Sequence, residues 1–399
     1  MLFADGADLA HLPFELLLIF GAAKILAEIC ERLGQPGIIG EILAGVIIGP
    51  SLLNWVQPDP ILAALAQIGV MFLLFRVGLE ARGSELLRVG GTALLVAILG
   101  VAIPFGVGCA VMASVRASWI ESFFIGASLV ATSVGVTARV LATRGLVQER
   151  ASQVIVAAAV IDDVLGLLVL AFVSSVAEHR LNVPRLVGST VLAAGFTVVI
   201  AKFGTRTLRH VVPRVEQQLR TGETQFNIAL IVLFGLSVLA LWIGIAAIVG
   251  AFLAGMALSE TVKPRVHDMA QGATELLVPF FLAGIGLNLD MAVFRDRGTI
   301  LLSIVVVIAA VLSKLAGCGL GAWHLGWKDM MRIGVGMVPR GEVGMVVAQL
   351  GLSLGVINSA VYAIVVFMTV VTTMAAPPML KYAYRDCRPG LPEEKYTLS

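Results

Sequence analysis

Thirteen apolar runs follow one another along the 399 residues, near 13–31, 36–54, 61–79, 91–113, 119–142, 151–177, 185–203, 225–241, 243–260, 272–289, 299–323, 332–353 and 357–380. A helix needs about 20 apolar residues to cross a bilayer core, and every run meets or nearly meets that length. Only helices and closed barrels satisfy all backbone groups in lipid. The runs are continuous rather than alternating, which excludes a barrel. The sequence therefore predicts an all-α polytopic membrane protein of about thirteen transmembrane helices. Composition agrees: 58% of residues are hydrophobic and 14% charged, against about a quarter charged in a soluble domain. With a formal net charge of only +2 and no basic tract, nothing in the chain suits nucleic acid. Cys30, Cys109, Cys318 and Cys387 have no paired spacing, so neither a disulfide framework nor a zinc site is expected. The N-terminus lacks the basic n-region of a signal peptide, so the first run is expected to be retained.

Lysine and arginine in the connections set orientation. If the C-terminus is cytoplasmic, 19 basic residues fall on the cytoplasmic side and 5 on the other, with Lys24, Arg76, Lys314 and Arg340 inside spans. The expectation is therefore N-terminus outside, C-terminus inside. The longest polar connection, 204–224, reads as a basic cytoplasmic linker, and 381–399 as a short cytoplasmic tail with no soluble regulatory domain.

Charges inside the runs are expensive. Each acid or base at a helix centre costs roughly 2.5–3.5 kcal/mol on insertion scales, so it needs a partner, a water path or a function. Asp162 and Asp163, in "AAVIDDVLGLLVLAF", are consecutive and point about 100° apart on a helix. Their neighbours one turn away are mostly small: Ala158, Ala159 and Gly166, with Leu167. Small neighbours leave room for close helix approach or for an ion. The natural partner is Lys314, mid-span in "AAVLSKLAGCGLG". One aspartate paired with Lys314 leaves the other able to hold a proton or a small cation.

Two spans carry helix-breaking residues. "ATSVGVTARV" (131–140) places Thr132, Ser133, Gly135 and Thr137 in an apolar run, and "GVGMVPRGEVGMVV" (334–347) places Pro339, Arg340, Gly341, Glu342 and Gly344. Proline removes a backbone donor and glycine weakens a helix. Interrupted segments in corresponding positions of two halves point to a transporter site. Arg340 and Glu342 are expected to neutralise each other or the exposed half-helix ends.

Six stretches carry a resemblance: "QPGIIGEILAGVIIGPSLL", "FLLFRVGLE", "ATSVGVTARVL", "AAVIDDVLGLLVL", "IVGAFLAGMALSE" and "GVGMVPRGEVGMVVAQLGL". In that order they resemble bacterial cation/proton antiporters of the NapA type, relatives of NhaA, over about 14–385. The resemblance implies a single transmembrane exchanger domain with NhaA-like inverted repeats and two broken, crossing helices. It implies a mobile core (about 61–177 and 272–353) and a dimerisation part (about 13–54 and 185–260), hence a homodimer in lipid. It implies a bacterial inner-membrane protein that exchanges cytoplasmic Na+ or Li+ for external H+ by alternating access, without a cofactor. Asp163 resembles the ion-binding carboxylate, with Thr132 and Ser133 as further Na+ ligands, and Asp162 the residue that pairs with Lys314. Arg340 and Glu342 resemble supporting residues at the second break. The Asp-Asp pair is similar to the electrogenic branch; the electroneutral branch has Asn-Asp. Arg76 departs from the pattern and is expected to pair with Glu80 four residues on or to snorkel; lining the inward funnel instead, it would repel cations.

Rival readings fit less well. A potassium efflux system of the same superfamily usually carries a large nucleotide-binding domain, and only a short tail follows residue 380 here. An intramembrane aspartyl protease, the enzymatic alternative, needs its acids on two helices. A channel would show a repeated filter motif. Glu41 and Glu260 near span ends read as structural, Lys24 and Glu28 as an i,i+4 pair, and the five histidines as loop residues without metal-ligand company.

Overall fold

The computed structural model describes residues 8–80, 90–144, 146, 149–178, 223–243 and 246–387, with isolated positions between 195 and 214. Most of the expected span at 185–203, most of the 204–224 linker and the tail from 388 lie outside the described residues. Among the described residues there is no strand. The helices are α1 (Asp8–Arg32), α2 (Gly37–Ile48), α3 (Pro60–Glu80), α4 (Gly91–Ser114), α5 (Trp119–Ser128), α6 (Val134–Thr143), α7 (Arg150–Glu178), α8 (Thr224–Trp242), α9 (Ala247–Leu258), α10 (Pro264–Leu287), α11 (Arg297–Gly321), α12 (Trp327–Gly336), α13 (Glu342–Ser353) and α14 (Ser359–Ala383). Seven of them, α3, α4, α7, α8, α10, α11 and α14, are long and apolar enough to cross a bilayer.

Helix starts follow local chemistry. Ser118 and Glu121 form a capping box on α5, with Glu121 N donating to Ser118 Oγ at 3.1 Å and Ser118 N to Glu121 Oε2 at 3.0 Å, so two otherwise orphaned donors are satisfied reciprocally. Asp296 caps α11 by accepting from Thr299 N at 2.8 Å, and Asn358 caps α14 by accepting from Val361 N at 2.9 Å. Pro264 opens α10, where its missing N–H is no loss.

Packing groups the chain into two compact units, Met1–Gly83 with Leu181–Val293 and Ser84–Arg180 with Phe294–Ser399. In the first unit, α3 packs on α9 and α10, α2 on α1 and α10, and α8 on α9. Reciprocal glycines hold these crossings. A Cβ at Gly45 of α2 would overlap the Ala283 carbonyl, and one at Gly286 of α10 the Ile42 carbonyl. Gly78 of α3 and Gly255 of α9 meet the Phe252 and Phe75 carbonyls in the same way. Such small-residue contacts are how helices approach closely in lipid. They place α3 and α10 in this unit, where the sequence expectation grouped 61–79 and 272–289 with the helices after residue 91. The second unit holds α4, α5, α6, α7, α11, α12, α13 and α14.

Several local expectations change. Lys24 bonds across to Glu41 Oε1 at 2.9 Å rather than to Glu28, and Glu28 pairs with Arg32 at 2.8 Å. The reason is again a glycine: a Cβ at Gly40 would overlap the Leu26 carbonyl, so α2 lies close enough for the lysine to reach its acid. The runs at 36–54 and 243–260 hold helices of only 12 residues, α2 and α9. After α2 the chain folds back, with Trp55 N and Val56 N both donating to Ile48 O at 2.9 and 3.0 Å. Arg76 does pair with Glu80, at 3.2 Å, on a half-exposed face.

Candidate functional site

Both predicted breaks lie in the second unit. The run at 119–142 is split into α5 and α6 by residues 129–133, and the run at 332–353 into α12 and α13 by residues 337–341. The two breaks touch: Ser133 N donates to Pro339 O at 2.8 Å. Gly341 makes the approach possible, because a Cβ there would sit 2.6 Å from Ser133 Cβ and 2.9 Å from its Oγ.

A broken helix exposes carbonyls at the C-terminal end of its first half, and no water is at hand in a membrane to satisfy them. Two cations do so for α5. Lys314 Nζ of α11 donates to Val130 O at 2.7 Å, and the Arg340 guanidinium lies 3.4 Å from Val130 O and 3.3 Å from Ala131 O. A cation at a helix C-terminus also meets the negative end of its dipole. Arg340 Nη2 donates a shorter bond, 2.8 Å, to Ala310 O of α11. The Arg340 guanidinium therefore lies at the half-helix end, one of the two roles expected for it. Glu342 opens α13, but its side chain lies outside those described.

Lys314 is fully buried and completes its bonding with Gly100 O at 2.8 Å and with Asp162, at 2.8 Å to Oδ1 and 3.1 Å to Oδ2. Neither partner's side chain is exposed at all. The pair expected from sequence is therefore formed, across 152 residues. Asp163, next on α7, is half-buried. Thr132 is buried and its Oγ1 has no hydrogen-bond partner among the described residues. An unsatisfied buried hydroxyl is costly unless something else comes to it. No group of three or more His, Cys, Asp or Glu suited to a resident metal occurs among the described residues.

Sequence reasoning missed the backbone acceptors Gly100 O, Val130 O and Ala310 O; the available hint for the first was Pro104, which has no N–H to give the carbonyl four residues back. It also missed Thr372 and Thr373 of α14, whose hydroxyls sit 3.4 Å from Arg340 N and 2.6 Å from Arg340 O. The stretch "TVVTT" in an apolar run was the available hint.

The transmembrane family described as "Sodium/hydrogen exchanger" matches residues 16–383. The chain belongs to this family. It is 33% identical over 379 residues to the Na(+)/H(+)-K(+) antiporter GerN of Bacillus cereus, covering 93% of this chain and 96% of that protein. It is 30% identical to the high-affinity Na(+)/H(+) antiporter NhaS3 of Synechocystis, over 97% of this chain and 93% of the relative. A solved structure of the sodium proton antiporter MjNhaP1 from Methanocaldococcus jannaschii has the same fold, with a TM-score of 0.72 at 18% identity, covering 95% of this chain and 97% of that one. The exchanger is thus a multi-pass membrane transporter and not an enzyme.

Proposed function

We propose that this exchanger moves Na+ or Li+ out of the cytoplasm against entering protons, and that Asp163 is the carboxylate for which cation and proton compete. The observation that carries the reading is the fully buried Lys314–Asp162 pair, 2.8 Å apart, adjoining a half-buried Asp163 in the unit where both broken helices meet. Facing the alkaline cytoplasm, the deprotonated carboxylate takes a cation; facing a more acidic exterior, protons displace it. One shared site couples the two flows without simultaneous binding. The Thr132 hydroxyl, unpartnered among the described residues, supplies with Ser133 neutral oxygen for a monovalent cation that is cargo rather than cofactor.

Within the family, the Asp162–Asp163 pair supports the NapA-type, electrogenic branch, with an NhaA-like inverted repeat and a core that alternates access. The basic cytoplasmic connections support a C-terminus inside a bacterial inner membrane, and the resemblance supports a homodimer. The name of GerN favours a second reading in which K+ is also exchanged.

The test uses proteoliposomes with an acidic lumen and a pH-sensitive dye, adding Na+, Li+ or K+ to wild type and Asp163→Asn. Collapse of the gradient by Na+ in wild type alone supports the shared carboxylate. Collapse by K+ alone transfers the function to potassium exchange. An Asp163→Asn variant as active as wild type removes Asp163 from the mechanism.

A further inference from the structure

Irregular backbone at membrane depth finds its partners within the protein or along a cavity, and several hydrogen bonds of the second break are made within the protein. Met337 N and Val338 N turn back to the carbonyls of Ile333 and Val335, both at 3.1 Å. Pro339 has no N–H to place, and its carbonyl takes Ser133 N at 2.8 Å. Two carbonyls then flank the turn, those of Gly336 and Arg340. Each accepts from a threonine on a different helix. Thr137 Oγ1 of α6 donates to Gly336 O at 2.7 Å, and Thr373 Oγ1 of α14 donates to Arg340 O at 2.6 Å. Both threonines are buried.

A hydroxyl in an apolar helix has an easier option, the carbonyl four residues back in its own helix. Ser128, Ser174, Ser237 and Ser303 all take it, at 2.7–2.8 Å. Thr372, the neighbour of Thr373, also does so, donating to Met368 O at 2.9 Å. Thr137 and Thr373 depart from this pattern, as do Ser152, which bonds Tyr384 Oη at 3.1 Å, and Thr369, unpartnered among the described residues; the departures of Thr137 and Thr373 end on the same break.

We infer that Thr137 and Thr373 are positioning residues of the exchange reaction, clamping the two ends of the 336–340 break from α6 and α14. The clamp fixes Arg340, whose guanidinium reaches Ala310 O and the end of α5, and fixes the first turn of α13. It makes the crossing a rigid cradle rather than a hinge, so α12 and α13 travel with α6 and α14. The inference rests on the reading that this crossing belongs to the exchange site.

Thr137→Val and Thr373→Val keep side-chain shape and remove the donor; Thr137→Ser and Thr373→Ser keep the donor. Thr137→Ala and Thr373→Ala replace any valine variant that does not reconstitute. Reconstituted exchangers are assayed for the apparent KM for Na+ across a pH series. Loss of the donor is expected to raise the KM about tenfold, in line with baring a buried carbonyl, and to shift the pH at which Na+ competes. The serine variants should stay within about twofold, and Ser174→Ala, whose hydroxyl serves its own helix, should match wild type. Mere loss of folded protein lowers the maximal rate and leaves the KM alone. Donor-free variants with a wild-type KM and pH profile overturn the clamp, as do serine variants as impaired as valine ones. Asp163→Asn in the same series separates the two ideas. If it is inactive while Thr373→Val keeps the wild-type KM, only the clamp falls; if it exchanges normally, the site reading itself falls.

Discussion

Removing the Lys314 ammonium should destabilise the exchanger more than removing the Asp162 charge, and the geometry gives the size of the difference. Lysine has three N–H donors. Here they serve Val130 O at 2.7 Å, Gly100 O at 2.8 Å and the Asp162 carboxylate at 2.8 Å. Lys314→Met leaves that carboxylate fully buried without its cation, which costs about 3–5 kcal/mol when one partner of a buried pair is removed. It also bares Gly100 O, for about 1 kcal/mol more, whereas Val130 O keeps a long contact with Arg340 at 3.4 Å. The expected loss is about 4–6 kcal/mol. Asp162→Asn keeps an acceptor of the same shape, and the lysine keeps both carbonyls, so about 2–3 kcal/mol is expected for weakening a charged bond.

The double variant Lys314→Met with Asp162→Asn removes the stranded charge and should lose less than the sum of the singles, by about 2 kcal/mol of coupling. The measurement is equilibrium unfolding of all four proteins in mixed micelles, followed by tryptophan fluorescence. An Asp162→Asn loss equal to or above that of Lys314→Met would refute the donor accounting. Strictly additive singles would refute the pair.

Gly341→Ala should lower stability by about 1–3 kcal/mol through overpacking, since the new Cβ would lie 2.6 Å from Ser133 Cβ. Its backbone, φ −131° and ψ −157°, is extended and open to any residue, so adding Ser133→Gly should recover most of the loss in a detergent melting assay; no recovery would point to backbone strain instead. Asp296 at the start of α11 accepts from Thr299 N and Oγ1, and those bonds hold its carboxyl below the ordinary 3.8. A lowered folded value means the cap contributes fully at neutral pH and is lost as pH falls through it. Asp296→Asn keeps a capping oxygen without a titrating group, so it should flatten the acid side of the melting profile below about pH 4.

What could be read in the sequence was what lipid makes costly. Asp162, Asp163 and Lys314 stood out because a charge in an apolar run needs a reason, and Pro339, Arg340 and Gly341 because they interrupt a helix where no water can repair it. What could not be read depends on which backbones come close. Lys24 had a plausible acid at i+4, and only the α1–α2 approach at Gly40 shows that Glu41 is its partner. The Gly49-Pro50 pair that ends α2 was a legible turn signal, but Leu52, Leu53 and Trp55 beyond it carried the apolar run on to 54. The grouping of α3 and α10 follows from reciprocal glycine contacts, and a glycine in a sequence does not say which carbonyl it faces. Gly100 O and Val130 O, the acceptors that matter most to Lys314, belong to the backbone; Pro104 and the break at 129–133 leave them free, but neither says which side chain will come to them.

Those two carbonyls also bear on how the pair can work. A lysine held by a carboxylate alone would be left bare and buried whenever that carboxylate changed partner or charge, and a bare buried ammonium is too costly to visit during a transport cycle. Lys314 instead stands on three supports, of which Asp162 is one. The break between α5 and α6 provides another, since Val130 O is free for a side chain only because the helix stops there. Interrupting α5 thus does two things at once: it brings Ser133 against Pro339, and it gives the buried lysine a neutral acceptor to rest on. An unbroken helix at 129–133 would spend Val130 O on its own backbone, and the charge on Asp162 would then be much harder to release from Lys314.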